Sequence, residues 1–158
     1  VLPEIDILIG TLGKSLGSMG AYVLSNNQSI IDYLTNEASE YIYSTFLSPS
    51  QAGAALEAIK LIKNYDKQRK ILKNLSKYLR KSVSTSSEDY LSPIIPVLIG
   101  DPQKTIKLRD TLLEKGILVG AVRPPTVPAN TSRLRISLNS GINKSVLNEL
   151  LNILGDYN

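Results

Sequence analysis

Residues 10–23 read Gly-Thr-Leu-Gly-Lys-Ser-Leu-Gly-Ser-Met-Gly-Ala-Tyr-Val, a run of small residues around the lysine at position 14. The apolar run at 5–9 predicts a buried strand that leads into this glycine-rich turn. Glycines let backbone N–H groups approach an anion, and the hydroxyls of Thr11 and Ser15 add donors for phosphate oxygens. Beside such a site Lys14 has two candidate roles: a point charge on phosphate, or a deprotonated nucleophile that forms a Schiff base with a carbonyl.

The same stretch partly matches a second kind of phosphate site, the P-loop. That motif is G-x-x-x-x-G-K-[ST], and residues 13–15 supply its final Gly-Lys-Ser. Leu8 occupies the position of its first glycine, and Gly17 and Gly20 would interrupt the helix that a P-loop begins. The pattern therefore disfavours nucleotide binding. A flexible surface loop with one solvated lysine stays open as a further interpretation.

The composition is that of a small globular protein. The chain has 158 residues, 42% of them hydrophobic, which is enough for one or two modest folded units. It has no cysteine, no long uninterrupted apolar run and no signal-like start, so we expect a reduced, soluble setting with the cytoplasm as the default. We expect neither a metal site nor a membrane partner.

The net charge of +4 raises the question of nucleic-acid binding. Much of the positive charge falls on one predicted helical stretch, residues 60–81, where lysines and arginines alternate with isoleucines and leucines at helical spacing. This pattern is typical of a solvated face opposite a packed one. Because no aromatic stacking platform or nucleic-acid motif accompanies it, we expect no nucleic-acid partner.

The remainder of the first half is predicted to be largely helical. After a strand at Val23, apolar spacing predicts a helix over 28–41. Ser48, followed by a proline and then by a glutamine three residues on, is typical of a capped start and predicts one long helix over 48–81. The Ser- and Thr-rich residues 82–89 are predicted to form a loop.

The second half has the pattern of an α/β unit. Its predicted strands and helices are strands at 94–99, 117–122 and 133–138, and helices from Asp101 to Gly116 and over 143–154. Pro96 favours an edge or bulged position for the first of these strands. Alternation in the last strand places Leu134 and Ile136 on one face and Arg133 and Arg135 on the other.

Four segments of the chain together resemble a known family. They are residues 10–23, 42–45 (Ile-Tyr-Ser-Thr), 122–128 (Val-Arg-Pro-Pro-Thr-Val-Pro) and 133–138 (Arg-Leu-Arg-Ile-Ser-Leu). In content, order and spacing they are similar to the α-oxoamine synthases, which are pyridoxal-phosphate enzymes of fold type I.

The resemblance implies an α/β chain that holds part of the fold-type I transferase architecture. Residues 1–47 would be the end of the large cofactor-binding domain, and 48–82 a long connecting helix. Residues 83–158 would form the small C-terminal α/β domain with a mainly antiparallel sheet.

The resemblance also implies roles for residues of the first part. Lys14 matches the lysine that forms the Schiff base with pyridoxal 5'-phosphate and then moves the proton at the substrate's α-carbon. Thr11 matches a position whose hydroxyl binds the cofactor phosphate, with a turn-stabilising threonine as the alternative. Ser44 and Thr45 match a segment that reaches the phosphate of the other subunit in a homodimer; a cap or turn is their alternative.

Three residues of the second part match substrate-binding positions. Arg135 matches the arginine that holds the amino-acid carboxylate in a bidentate pair, where a plain surface arginine is the alternative. Thr126 matches a substrate-contacting position, and the resemblance implies that Arg123 helps to bind substrate. The prolines around them predict an extended segment of low entropy that lines the site.

The Arg-Pro-Pro-Thr-Val-Pro string at 123–128 indicates the substrates. It is most similar to the branch of the family that joins L-alanine to a pimeloyl thioester, carried by coenzyme A or an acyl carrier protein, with decarboxylation, in biotin biosynthesis. Other branches, such as glycine C-acetyltransferase, remain alternatives, as do a non-catalytic phosphate-binding module and an interaction domain.

The chain has no histidine, although the family stacks one on the cofactor ring. The acidic partner of the pyridine nitrogen is likewise expected upstream of Lys14. We therefore expect this chain to be a fragment that is inactive alone.

Overall fold

The computed structural model of the chain describes residues 4–83 and 92–155. The chain divides into two units, called here unit 1 (residues 1–65) and unit 2 (residues 66–158). Most of the predicted loop over 82–89 lies outside the described residues. In the described ranges, none of the helices combines the length and apolarity needed to span a bilayer.

Unit 1 holds a β-hairpin followed by helices. The hairpin strands β1 (Leu8–Thr11) and β2 (Ala21–Leu24) pair antiparallel, with Thr11 opposite Ala21. The helices are α1 (Gln28–Glu37), α2 (Ser39–Ile42) and α3 (Pro49–Ile62). Side-chain caps fix where two of them begin. The Asn27 side chain accepts a hydrogen bond from the Ser29 N–H at 3.0 Å, and Ser48 accepts one from Gln51 at 3.4 Å.

The apolar run at 5–9 does not form the predicted buried strand. Strand β1 begins only at Leu8, and the side chain of Ile9 is 70% exposed. An apolar run shows that a segment suits burial, but it does not supply the layer that buries it. Among the described residues of unit 1, the buried hydrophobic side chains are those of Leu12 and Ala55.

Both helices predicted in the first half are broken. The helix expected over 28–41 stops at Ala38, whose backbone is extended (φ −76°, ψ 105°) before α2 begins. The helix expected over 48–81 is two helices separated by a turn in which Asn64 N–H donates to the Leu61 carbonyl at 3.0 Å. Asn64 and Asp66 favour turns and caps over helix interiors, which explains the break. The three-part division of the chain stays a prediction.

Unit 2 is a three-stranded antiparallel sheet covered by helices. Its helices are α4 (Asp66–Ser82), α5 (Pro102–Glu114) and α6 (Lys144–Gly155), and its strands are β3 (Ile94–Gly100), β4 (Gly120–Val122) and β5 (Ser132–Ser137). The strand order is β3-β5-β4, so β5 lies in the centre. Pro96 lies in the edge strand β3, as its missing N–H predicts.

The core of unit 2 lies on one face of this sheet. It contains buried side chains from all three helices and from the sheet: Leu79, Ile95, Leu108, Leu112, Ile117, Val119, Leu134, Ile136, Leu138, Leu147, Leu150 and Leu154. The predicted alternation in β5 is therefore correct, because Leu134 and Ile136 are buried and Arg135 between them is exposed. Helix α5 ends where Gly116 takes up a positive φ of 76°.

A buried arginine joins α4 to the sheet. The Arg80 guanidinium donates to the carbonyls of Ser92 at 3.0 Å and Ile94 at 2.8 Å, and Ser76 Oγ donates to the Ser92 carbonyl at 2.9 Å. These contacts, together with the fully buried Leu79, fix which face of α4 packs inward.

Candidate active site

Lys14 lies in the loop that connects the two hairpin strands. The loop is closed by backbone hydrogen bonds from Leu12 N–H to the Gly20 carbonyl at 2.9 Å and from Ser18 N–H to the Leu12 carbonyl at 3.0 Å. The Lys14 carbonyl accepts from Gly17 N–H at 3.0 Å, which forms a turn around the lysine. The Lys14 side chain is exposed at this turn and open to a ligand.

Contacts with the following segment hold the loop in place. Ser18 Oγ donates to the Gln51 carbonyl in the first turn of α3 at 2.7 Å, and the Leu12 side chain is buried. Gly20 has a φ of 93°, and a Cβ there would come within 3.0 Å of Leu47. This role of Ser18 has no local sequence signal, because its hydrogen bond joins residues 33 positions apart.

Thr11 ends strand β1, three residues before the lysine, and its side chain is exposed. The glycine before it permits a close approach within the hairpin, since a Cβ at Gly10 would overlap the ring of Tyr22 on β2. Thr11 and Lys14 thus lie on one hairpin, at the end of a strand and in the turn that follows it.

Ser44 and Thr45 lie in the segment between α2 and α3 and are exposed. Two aromatic side chains flank them, with Tyr43 84% exposed and Phe46 85% exposed. An apolar surface of this kind is typical of a segment that another polypeptide covers.

Arg135 lies on the central strand of unit 2, on the face opposite the core. Its cross-strand neighbours are Pro96 and Gly120, neither of which carries a long side chain. A Cβ at Gly120 would lie 3.6 Å from the Cβ of Arg135, so the glycine leaves space beside the arginine. In the described parts of the chain, no acidic side chain forms an ion pair with Arg135.

The neighbouring arginine on the same face is used differently. Arg133 is half-buried, and its Nε donates to the Thr131 carbonyl at 2.9 Å. Arg133 is therefore bonded to the residue that precedes its own strand, whereas the Arg135 side chain is exposed to solvent.

Arg123 and Thr126 form the two ends of a tight turn. Thr126 N–H donates to the Arg123 carbonyl at 3.1 Å, and the Pro124-Pro125 peptide between them is cis. The prediction of an extended segment is therefore wrong, because a cis proline at the third position makes a type VI turn. Both side chains are exposed, beside a small cavity of about 420 Å³ lined by residues 121–126.

The predicted site residues are divided between the two units. Thr11, Lys14, Ser44 and Thr45 belong to unit 1, and Arg123, Thr126 and Arg135 belong to unit 2.

The chemistry of the donors in unit 1 fits the phosphate and the aldehyde of pyridoxal phosphate. The hairpin loop offers backbone N–H groups at glycines, a hydroxyl at Thr11 and an exposed amine at Lys14. Within the described residues, no group of acidic side chains is arranged to hold a metal ion.

Comparisons with known proteins give consistent results. The model of the aminotransferase class I and II family matches residues 1–154. The curated 8-amino-7-oxononanoate synthase of Ectopseudomonas mendocina (strain ymp) is 37% identical over an alignment of 158 positions, which covers 98% of this chain and 40% of the relative. The chain thus spans about 40% of the length of the curated relatives it matches.

Two solved structures share the fold. The 8-amino-7-oxononanoate synthase of Francisella tularensis is 32% identical with a TM-score of 0.80, over 95% of this chain and 44% of that one. A serine palmitoyltransferase variant from S. paucimobilis with a bound PLP-myriocin aldimine is 25% identical with a TM-score of 0.86, over 97% of this chain and 39% of that one.

Proposed function

Because the chain belongs to the aminotransferase class I and II family, we propose that it is part of a pyridoxal-phosphate-dependent acyltransferase. Family membership and the solved neighbours confirm the predicted fold class, a partial fold-type I architecture with a mainly antiparallel sheet. The reaction is the condensation of L-alanine with a pimeloyl thioester, with loss of carbon dioxide, to 8-amino-7-oxononanoate. The name of the 37% identical relative, which states this product, is the observation that supports the choice of reaction, and the substrates follow from the resemblance of residues 123–128.

In this proposal the hairpin of unit 1 holds the cofactor. Lys14 would hold it at its aldehyde group, and Thr11 would donate its hydroxyl to the phosphate. When bound, the cofactor supplies an electron-withdrawing ring for the substrate's α-carbon. The amine of Lys14 would take the proton from that carbon, and the hydrogen bonds of the turn, together with the bond from Ser18 to the Gln51 carbonyl, fix the backbone from which this side chain extends.

Unit 2 binds the amino acid. The guanidinium of Arg135 pairs with the alanine carboxylate through two parallel hydrogen bonds, a geometry that suits its planar fork. Its exposed place beside Gly120, with no acidic partner among the described residues, leaves it free for this pairing. Thr126 and Arg123, at the ends of the type VI turn, contact the substrate from a neighbouring edge of the sheet.

Ser44 and Thr45 contact the cofactor phosphate of a second subunit in a homodimer. The exposed Tyr43 and Phe46 support this role, because a dimer interface would cover them. The intact site then needs two chains, and this chain alone is inactive because it lacks the ring-stacking histidine.

The test is made on the enzyme that contains this segment. Borohydride reduction in the presence of pyridoxal phosphate should fix the cofactor to the peptide that carries Lys14, as peptide mass spectrometry would show. Lys14→Arg should abolish both the labelling and the turnover of alanine with pimeloyl thioester. Lys60→Arg, on an exposed face of α3, is the matched control and should change neither. Labelling that persists in the Lys14→Arg enzyme would refute the assignment.

The likeness to serine palmitoyltransferase keeps one other acyl transfer in view. Turnover of serine with a long-chain acyl thioester in preference to alanine with a pimeloyl thioester would keep the cofactor assignment and change the substrates.

A further inference from the structure

Helix α4 carries a disproportionate share of the positive charge of the chain. Of 18 basic and 14 acidic residues, α4 holds seven basic and one acidic, which leaves 11 basic and 13 acidic residues elsewhere. The helix therefore has a net charge of +6, and the rest of the chain has a net charge of −2. A solvated surface without a partner normally mixes both signs.

Five of these charges lie along one side of the helix and are called here the lysine row: Lys67, Lys70, Lys73, Lys77 and Lys81. Their spacing of three or four residues puts them on one side of the helix, about 5 Å apart along about 21 Å. All five are exposed. The opposite side of α4 is held inward by Leu79 and by the hydrogen bonds of Arg80 to β3. The packing of unit 2 thus directs the lysine row to solvent.

In the described part of unit 2, no lysine of this row forms an ion pair. The ion pairs found there join Arg69 to Asp66 and Arg109 to Asp110, and neither includes a lysine of the row. Like charges at this spacing destabilise a helix, so the row carries a folding cost that a bound partner of opposite charge would offset.

We propose that the lysine row is the docking surface for an acidic acyl carrier protein that delivers the acyl thioester, an inference that rests on the proposed function. A carrier protein is a small acidic helical protein, and carboxylates at helical spacing on its surface would match lysines at the same spacing. Complementary charge of this kind steers the encounter and sets the register of the complex.

Two other polyanionic partners fit the row less well. A membrane-binding helix inserts its apolar face, but that face of α4 is occupied by the core of unit 2. Single-stranded nucleic acid needs aromatic stacking, and the aromatic side chain of α4 is already engaged. Tyr78 donates its hydroxyl to Asn148 Oδ1 at 2.6 Å, and the Lys144 ammonium lies 4.5 Å from its ring centroid.

The experiment measures binding of the full chain to a fluorescently labelled acyl carrier protein that bears a pimeloyl group. Lys70→Glu/Lys73→Glu should weaken binding by about tenfold at low ionic strength. The matched control Lys104→Glu/Lys107→Glu reverses two exposed charges at the same spacing on α5 and should stay within about twofold. Binding by the unaltered chain should fall steeply between about 50 and 500 mM salt.

Equal weakening by both double variants, or no binding by the unaltered chain, would overturn the proposal. It would also be overturned if duplex DNA competed as well as unlabelled carrier protein, because the row would then bind any polyanion. Pimeloyl-coenzyme A that displaced the carrier protein through the same lysines would assign the row to the nucleotide phosphates instead. None of these readouts involves Lys14, so borohydride labelling at Lys14 can succeed when carrier binding fails, and the two failures are distinguishable.

Discussion

Replacement of Leu134 by alanine tests which face of β5 is buried. The assignment of Arg135 to the substrate depends on its lying on the opposite, exposed face. Leu134 is fully buried at 0% exposure in the central strand of unit 2. Truncation of such a leucine loses its transfer free energy and leaves a cavity, so Leu134→Ala should lower the free energy of unfolding by about 2–5 kcal/mol. Leu98 lies on the adjacent strand, opposite Arg133, but is 66% exposed. With about a third of its surface buried, Leu98→Ala should cost only about 0.5–1 kcal/mol.

Urea unfolding of the full chain, followed by circular dichroism in the far ultraviolet, measures these differences. The slope of free energy against urea should stay the same for all variants, so that a shift of the midpoint reports stability. Arg135→Ala should change stability by no more than about 0.5 kcal/mol, because the side chain is exposed on the other face of the same strand. If Arg135→Ala lowered the free energy of unfolding as much as Leu134→Ala, Arg135 would not lie on the exposed face of β5, and it would not be available to bind substrate.

Two further predictions concern the site and the units. In the enzyme that contains this segment, Arg135→Lys should raise the KM for the amino acid by about tenfold, the value of one lost charge-assisted hydrogen bond. Arg133→Lys, which changes a residue bonded to its own strand, should leave KM nearly unchanged in the same steady-state assay. Expressed alone, residues 66–158 should unfold in a single cooperative thermal transition, because the core cluster lies in that unit. Residues 1–65 should show none, and a cooperative transition in that fragment would contradict the account of its packing.

Most of unit 2 could be predicted from the sequence because its signals are local. Pro102 follows a capping aspartate, Gly116 ends α5, and the alternation of Leu134 and Ile136 with arginines specifies one buried face. The antiparallel sheet came from the family resemblance, which the comparisons confirm.

The errors in unit 1 have a common physical cause. Apolar periodicity continues through Ala38 and through the turn at Asn64, so it could not show that the backbone leaves the helix at these points. The exposure of Ile9 could not be predicted either, because a strand of apolar residues has the same sequence whether or not a second layer covers it.

The candidate site was also only partly predictable, because local sequence does not reveal contacts between distant residues. The identity of Lys14 and Thr11 as candidates came from the glycine-rich stretch, but its anchor, the hydrogen bond from Ser18 to the Gln51 carbonyl, joins residues far apart in sequence. The turn that begins at Arg123 could not be predicted from its prolines, because the φ angle that proline fixes occurs both in extended segments and in turns.

Residue types alone are enough to indicate which groups of the chain are candidates for chemistry: a lysine in a small-residue loop, a hydroxyl three residues before it and an arginine on an alternating strand. The selection of these three groups depends on residue type and short-range spacing, and both can be read directly from the sequence. Only the packing shows which candidate side chains are open to solvent and which are already bonded within the fold. Arg135 and Arg133 are equivalent in the alternation, and packing alone leaves the first open beside Gly120 while the second bonds to Thr131. The sequence pattern of the α4 lysines is that of an ordinary solvated face, whereas the burial of Leu79 and Arg80 shows that these lysines lie along one exposed side and form no ion pair among the described residues.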